Sequence, residues 1–440
     1  MKKIKVHPPI YDIKSGNLRI KLTEEKGASS TLSVDFRTLL PFVNLVENQT
    51  REFFFLTCSV YGIDRFINRK HHSVDGWSRE LQVSFPVSDL QVWNNVKEDL
   101  EDLFSFLTGD YWIIDFYKSD FVLPEFDLPL DFKEEYKQVS LFSGGLDSLI
   151  GAIDFLSKHP NERLLLASHY DPQMKGPKGD QEELLKLLDK QYEDLFDAVP
   201  SIKVTLSETT EKRETTFRSR SILFIGIALL ISQGKNIQDI IVPENGSVSL
   251  NYPLSSSRRT SCSTRTTHSF VLDKTNLVLK KLNILSNISN PYEFLTKGEM
   301  VDNCSDLEFL KQIISFSNSC GKRGHRRSWT NRSATHCGVC MPCIYRQASL
   351  LNQKDFTSYG SHINSLIPFK KKKTQDVGVC LDFLNKSLSK DDIKIELIVN
   401  GIKNLSKLDN YVDVICRTRA ELLNWVGKNG NTIIKSKAGL

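Results

Sequence analysis

Six consecutive residues, Ser143-Gly-Gly-Leu-Asp-Ser148, have the types and spacing that most directly suggest chemistry. An apolar strand signal from Val139 to Phe142 precedes them, and a helical pattern from Leu149 to Leu156 follows. A strand that turns through glycines into a helix start leaves backbone N–H groups unpaired and pointing outward. The positive end of the helix dipole then lies behind them. Gly144 and Gly145 allow backbone angles that a Cβ forbids, so the chain can wrap closely around an anion. Ser143 and Ser148 add hydroxyl donors, Leu146 belongs to the same cradle, and Asp147 can hold a Mg²⁺ that bridges phosphate oxygens. The implied chemistry is binding of the pyrophosphate part of ATP. No Gly-Lys-Ser/Thr follows the glycines, so this is not the Walker loop. A Gly-Gly turn merely capped by serines is the alternative, and the flanking strand and helix weigh against it.

The second signal is a cysteine cluster. Cys337-Gly-Val-Cys340-Met-Pro-Cys343 sets three thiols at successive three-residue steps, and Cys320 lies 17 residues upstream. Three thiolates on one tight turn and a fourth from a preceding loop can close a tetrahedral Zn²⁺ site, which is normally structural. Iron–sulfur ligation is the rival, although nothing else in the chain suggests redox work. Cys58, Cys262, Cys304, Cys380 and Cys416 are scattered and read as small core hydrophobes. Between Phe309 and Lys354 there is no acidic residue, while Lys322, Arg323, Arg326, Arg327, Arg332 and Arg346 fall within the stretch. It reads either as a phosphate- or nucleic-acid-binding surface or as cations offsetting a four-thiolate site, with Arg346 near that site and the 322–327 run exposed.

These residues need elements to position them. The chain has 440 residues, enough for two or three domains, and its 40% apolar and 25% charged content is ordinary for a globular protein. A net charge of +5 permits an acidic partner without demanding one. The basic start lacks a following apolar segment, and the most apolar run, Ile222 to Ile231, is too short to span a bilayer. The expected location is the cytoplasm, without membrane attachment. Residues 1–135 read as an α+β accessory domain, with strand-like stretches at 18–22, 53–60, 81–85 and 112–116 and a helix near 90–107. Pro124, Pro129 and the acidic run at 131–135 read as a linker. Residues 136–350 alternate strands (139–142, 164–168, 202–206, 239–242) with helices (146–157, 180–195, 218–233). That alternation predicts an α/β domain with a doubly wound parallel sheet. Residues 351–440 read as helical, with Lys370 to Lys373 as solvated surface.

The loop at 143–148 resembles the SGGxDS signature of the PP-loop ATP pyrophosphatases, which have an adenine nucleotide alpha hydrolase-like fold. Together with the Cys…CGxCxxCxxR element it resembles the QueC family, the 7-cyano-7-deazaguanine synthases. Intermediate segments agree: Arg218-Ser-Arg220 before an apolar helix, Pro291 followed by Thr296-Lys-Gly-Glu299, and Glu244-Asn245-Gly246 after a buried strand. The resemblance covers about residues 137–350. It implies that a carboxylate attacks the α-phosphate of ATP, giving an acyl adenylate that an amine then captures. In the synthases the amine is ammonia, and a second adenylation dehydrates the amide to a nitrile. Asp147, Ser148, Arg220 and Lys297 are the implied catalytic residues, and His169 joins residues 143–148 around ATP. The stretch Ser168-His169-Tyr170-Asp171, at the end of the second strand, is expected to line the adenine or substrate pocket, and His169 reads equally well as a hydrogen-bonded core histidine. Glu244, Asn245, Arg265 and His268 are substrate-binding candidates, and ATP, Mg²⁺ and Zn²⁺ are the implied cofactors. The segments 244–251 and 263–268 resemble the longer QueC-like proteins of anti-phage islands, particularly the QatC component of Qat systems. That points to a deazaguanine-type small molecule and to protein partners from the same system, with RNA as a further partner class. A tRNA-modifying PP-loop enzyme and an inactive nucleotide-binding scaffold are the competing readings.

Overall fold

The computed structural model describes residues 1–43, 46–119, 135–174, 176–207, 212–254, 265, 267–365 and 375–440. Pro124, Pro129, most of the 131–135 run, Cys262, Ser263, Thr264, Thr266 and Lys370 to Lys373 lie outside these residues.

Thirteen strands are described: β1 (Lys2–Val6), β2 (Ile10–Asp12), β3 (Asn17–Glu24), β4 (Ser29–Asp35), β5 (Glu80–Val87), β6 (Tyr111–Lys118), β7 (Gln138–Leu141), β8 (Leu164–Ala167), β9 (His169–Tyr170), β10 (Phe196–Ala198), β11 (Ile202–Leu206), β12 (Asp239–Ile241) and β13 (Asn287–Ser289). Five of them form an all-parallel sheet in the order β10-β8-β7-β12-β13. β8 is buried along its whole length, as expected of a strand covered on both faces. One face of this sheet carries the Arg220–Gly234 helix, and the other carries the Leu146–Lys158 and Pro177–Gln191 helices. This is the predicted doubly wound arrangement. The apolar run at 222–231 is the inner body of a helix buried nearly all round.

One expectation fails in an informative way. The 202–206 stretch does not join the parallel sheet but pairs antiparallel with β4, and β9 pairs alongside it. The mixed second sheet therefore runs β6-β5-β1-β3-β4-β11-β9, with β2 on β3. Two chain segments take part in both sheets. One bends at Ser168, whose hydroxyl donates to Phe142 O at 2.7 Å, and the other bends between Ala198 and Ile202. Alternation along β11 (buried, exposed, buried, half-buried, buried) suits a strand with one wet face, not a central parallel strand.

A second correction concerns Phe53 to Val60, read as a strand. It lies within the Asn48–Phe66 helix. That helix is buried from Phe53 to Phe66 without interruption, so no solvent face marks its period. It packs on the Arg220–Gly234 helix, where a Cβ on Gly226 would lie 2.0 Å from Thr57 Oγ1, a close approach that only glycine permits. Apolar residues of the N-terminal region and of the parallel sheet merge into one core. Residues 351–362 are irregular, with Tyr359 bridging to His336, and from residue 375 the chain is mainly helical, with Gln375–Asn385, Lys390–Val399, Leu408–Asn429 and Thr432–Lys437 packed around the cysteine-bearing segment.

Candidate active site and metal centre

In the parallel sheet, β7 has β8 on one side and β12 on the other, so the winding reverses there. The chains leaving the carboxyl ends of β7 and β12 separate at such a switch point and open a crevice. The loop at 143–148 leaves β7, and Glu244-Asn245 leaves β12. Thr296-Lys297 follows β13, the next strand over.

The loop is held by its own serines. Ser148 Oγ donates to Gly145 O at 3.0 Å and lies 3.2 Å from both the amide and the hydroxyl of Ser143. Gly144 has φ +79°, a left-handed angle that favours glycine, and a Cβ there would press on Gln181 at 3.2 Å. Gly145 precedes the helix, and no side chain caps that helix start. A glycine-lined helix N-terminus without a side-chain cap, with Ser143 exposed beside it, fits a phosphate chain.

Asp147, in the first turn of this helix, is the centre of a buried group. Its Oδ1 lies 2.5 Å from Lys297 Nζ, and its Oδ2 accepts from Asn245 Nδ2 at 2.7 Å. Burial alone would raise the Asp147 carboxyl, but the Lys297 charge and hydrogen bonds from Glu244, Lys297 and Asn245 outweigh it and hold the group low. Glu244 is pushed well above the usual carboxylate range, first by burial and then by the Asp147 charge, so it is the protonated partner. Two adjacent carboxyls in a crevice supply hard oxygen donors that fit Mg²⁺ once Glu244 releases its proton.

The other predicted residues take different places. His169, at the end of the bent β8–β9 segment, is fully buried between Phe224 and Tyr61, with ring centroids 4.1 and 6.3 Å away. Burial, and then the nearby Arg220 charge, keep it neutral. Arg220 lies over the Phe224 ring at 5.3 Å, near Tyr61 and Asp171. His268 and Arg265 are not among the contacts of Asp147. His268 caps the Ser269–Lys281 helix by accepting from Phe270 N at 3.1 Å, and Arg265 covers the Phe106 ring at 4.3 Å.

One residue at the site, Gln181, gave no sequence signal. Gln181 directs its amide at the carbonyls of Phe142, Ser143 and His169, each at 3.4 Å, and so braces the loop against β9. Asp171 accepts from Tyr61 at 2.9 Å and Arg65 at 2.7 Å, both on the N-terminal Asn48–Phe66 helix. The two partners of Asp171 are more than a hundred residues away in sequence, beyond the reach of any local pattern.

The four predicted cysteines, Cys320, Cys337, Cys340 and Cys343, converge with their sulfurs all within 4.8 Å of one another. Cys337 and Cys343 Sγ are 3.8 Å apart, which matches the edge of about 3.8 Å for a tetrahedron with zinc–sulfur bonds of about 2.3 Å. A four-iron cluster enclosed by its thiolates needs a wider cage, so the set fits zinc. Amides of Val339 and Cys340 point at Cys337 Sγ at 3.4 and 3.2 Å, supporting a thiolate. The element also reaches the phosphate loop, because Asn318 N donates to Gly144 O at 3.0 Å and its side chain accepts from Cys320 N at 2.9 Å. Arg346 is fully buried and bonds Ser317, Ile314 O and Thr357. Lys322 and Arg323 pair with Asp376 and Asp180, whereas Arg326, Arg327 and Arg332 are exposed.

Comparison with known families agrees with this geometry. Residues 137–354, about half of the chain, match the family described as queuosine biosynthesis protein QueC. The central segment is thus similar to the QueC family of PP-loop proteins. No curated protein and no solved structure matches the chain. The QueC-like segment begins one residue before β7 and ends after the cysteine helix Met341–Ser349, so it contains the phosphate loop, Asp147, Lys297 and all four cysteines. It supports an ATP-using enzyme of synthase or ligase type.

Proposed function

We propose that the protein activates a 7-deazaguanine-type carboxylate as an acyl adenylate and delivers it to an amine, within an anti-phage defence system of the Qat kind. The observation that carries this reading is the Asp147–Lys297–Asn245 group set beside the glycine loop at the sheet's switch point. A substrate carboxylate oxygen attacks the α-phosphorus, the bond to the β-phosphate oxygen breaks, and pyrophosphate leaves. An amine then attacks the acyl carbon, AMP departs with the bonding pair, and the amine loses a proton to solvent. With ammonia the product is an amide, which a second adenylation can dehydrate to a nitrile. With a partner protein's amine it is a conjugate.

Loop amides at 144–146 hold the leaving pyrophosphate, and Lys297 places a cation at its edge while Asp147 fixes the ammonium. Mg²⁺, when bound by Asp147 with Glu244, supplies further positive charge against the departing group. Arg220 is the further phosphate contact in this reading. The resemblance of the 244–251 segment to anti-phage QueC-like proteins supports the defence setting, and residues outside 137–354 offer surface for a protein acceptor. No described helix is long and apolar enough to cross a membrane. A second reading, modification of tRNA, draws on the exposed Arg326, Arg327 and Arg332 and requires binding that weakens steeply with salt.

The test is ATP-to-AMP conversion by purified protein with 7-carboxy-7-deazaguanine, with the purine product read by mass spectrometry. Substrate-dependent AMP and an amide, nitrile or conjugate are expected, with at least ~100-fold loss in Asp147→Ala. AMP formation that ignores the purine, or that survives Asp147→Ala, would sink the proposal.

A further inference from the structure

Lys297 and Asn245 both owe their positions to a helix outside the QueC-like segment. In the Leu408–Asn429 helix, Val414, Arg417, Thr418 and Glu421 fall at three-, four- and seven-residue steps and therefore share one face. Each of the four meets the site's supports. Thr418 Oγ1 lies 2.5 Å from Ser247 Oγ, and that same oxygen accepts from the Lys297 backbone N–H at 3.3 Å. Glu421 accepts from the Thr296 hydroxyl with one oxygen and from Gly298 N at 3.3 Å with the other, gripping the residues on either side of Lys297. Arg417 pairs with Glu299 at 2.6 Å, and Glu299 closes the capping box with Thr296. Val414 packs on the backbone beside Asn245, where a Cβ on Gly246 would lie 2.9 Å from Val414 Cγ1. Gly298 is likewise matched to its clamp, since a Cβ there would lie 2.5 Å from Glu421 Oε1.

The short Lys297–Asp302 helix has only six residues, too few to hold its own first turn rigid. Its N-cap hydroxyl and an adjacent free amide both end on one carboxylate from the C-terminal helix. We infer that Glu421, with Thr418 beside it, is a positioning residue that locks Lys297 against Asp147, so that the C-terminal region is an integral part of the active site. This rests on the proposed role of Lys297, but the geometry can be tested without knowing the substrate.

The experiment measures acetylation of individual lysines by a water-soluble N-hydroxysuccinimide ester in the folded full-length protein, quantified by mass spectrometry. Native protein, Glu421→Ala, Glu421→Gln and Thr418→Val are compared, with melting curves confirming the fold and exposed lysines as internal standards. Loss of the clamp leaves buried donors unpaired, a cost that corresponds to a rise of roughly tenfold in Lys297 acetylation in Glu421→Ala. Glu421→Gln, which retains an acceptor for Thr296, is expected to stay within about threefold of native. If Glu421→Ala does not fold, Thr418→Val carries the same expectation. Unchanged Lys297 reactivity in the folded variants, or an equal rise at all lysines, would overturn the inference. AMP formation measured in parallel separates the two ideas: a selective rise at Lys297 in a protein inactive on the deazaguanine acid keeps the positioning and rejects the substrate.

Discussion

At the scale of single residues, the site is organised by unequal protonation of two neighbouring carboxyls. Asp147 keeps its charge because Lys297 and Asn245 stabilise it, whereas Glu244 is held protonated by burial and by that same charge. The consequence for stability has a definite sign. An acid raised in the folded state contributes stability fully present below its unfolded value of 4.5, which is lost as pH rises through the folded value. Glu244→Gln keeps a neutral hydrogen-bonding side chain and removes the titration. Its melting temperature without added metal should match the native protein near pH 5 and exceed it increasingly toward pH 9. A difference that stays constant with pH would show that Glu244 ionises freely beside Asp147. Mg²⁺ should narrow the gap at high pH, because the native carboxylate then has a cation and the amide does not.

At the scale of elements, the legible features were those with local causes. Two glycines between an apolar strand and a helix, and three thiols at regular steps, each fix their own geometry within a few residues. The strand-like look of 53–60 misled because a helix buried on all sides has no polar stripe to reveal its period. The pairing of β11 with β4 is a choice between two sheets, made by partners about 170 residues apart in sequence. The Ile-Lys-Val-Thr-Leu alternation of β11 marks a strand with one wet face but does not specify which edge it joins. Glu421 and Thr418 escaped notice for the same reason, as polar residues on an amphipathic helix read as solvated face. The cysteine element yields a prediction at this scale. Stripping zinc with a chelator, or Cys340→Ser, should lower stability by several kcal/mol and release the 318–320 segment from the phosphate loop. ATP binding should weaken with it, by roughly tenfold if one backbone contact to the loop is lost. Calorimetric titration with ATP before and after metal removal checks both, and unchanged affinity in a zinc-free protein would decouple the two sites.

At the scale of the whole molecule, a buried charge network connects the N-terminal region to the nucleotide side. Asp64, Arg69, Arg79 and Asp110 are buried together, with Arg79 bonding both carboxylates at 2.7 and 2.6 Å. Asp64 also accepts from the Ser219 amide at 3.1 Å and hydroxyl at 2.9 Å, at the start of the helix that carries Arg220. Such a network adds little stability over an apolar core, but removing one partner leaves charge buried without compensation. Arg79→Met should therefore cost about 3–5 kcal/mol in urea unfolding. A loss below about 1 kcal/mol would mean that water or rearrangement satisfies both carboxylates.

The two segments that bend from one sheet into the other also constrain how the molecule is made. As the chain emerges from the ribosome, β1 to β6 can assemble early, yet the β4 edge stays open until β11 appears, some 170 residues later. Over that interval the seven-residue β4 presents an unpaired backbone edge to the cell, the condition in which sheets join the wrong partner. The N-terminal half thus cannot finish folding before the nucleotide-binding half arrives, and a nascent chain stalled between residues 119 and 202 should depend on chaperones to stay soluble.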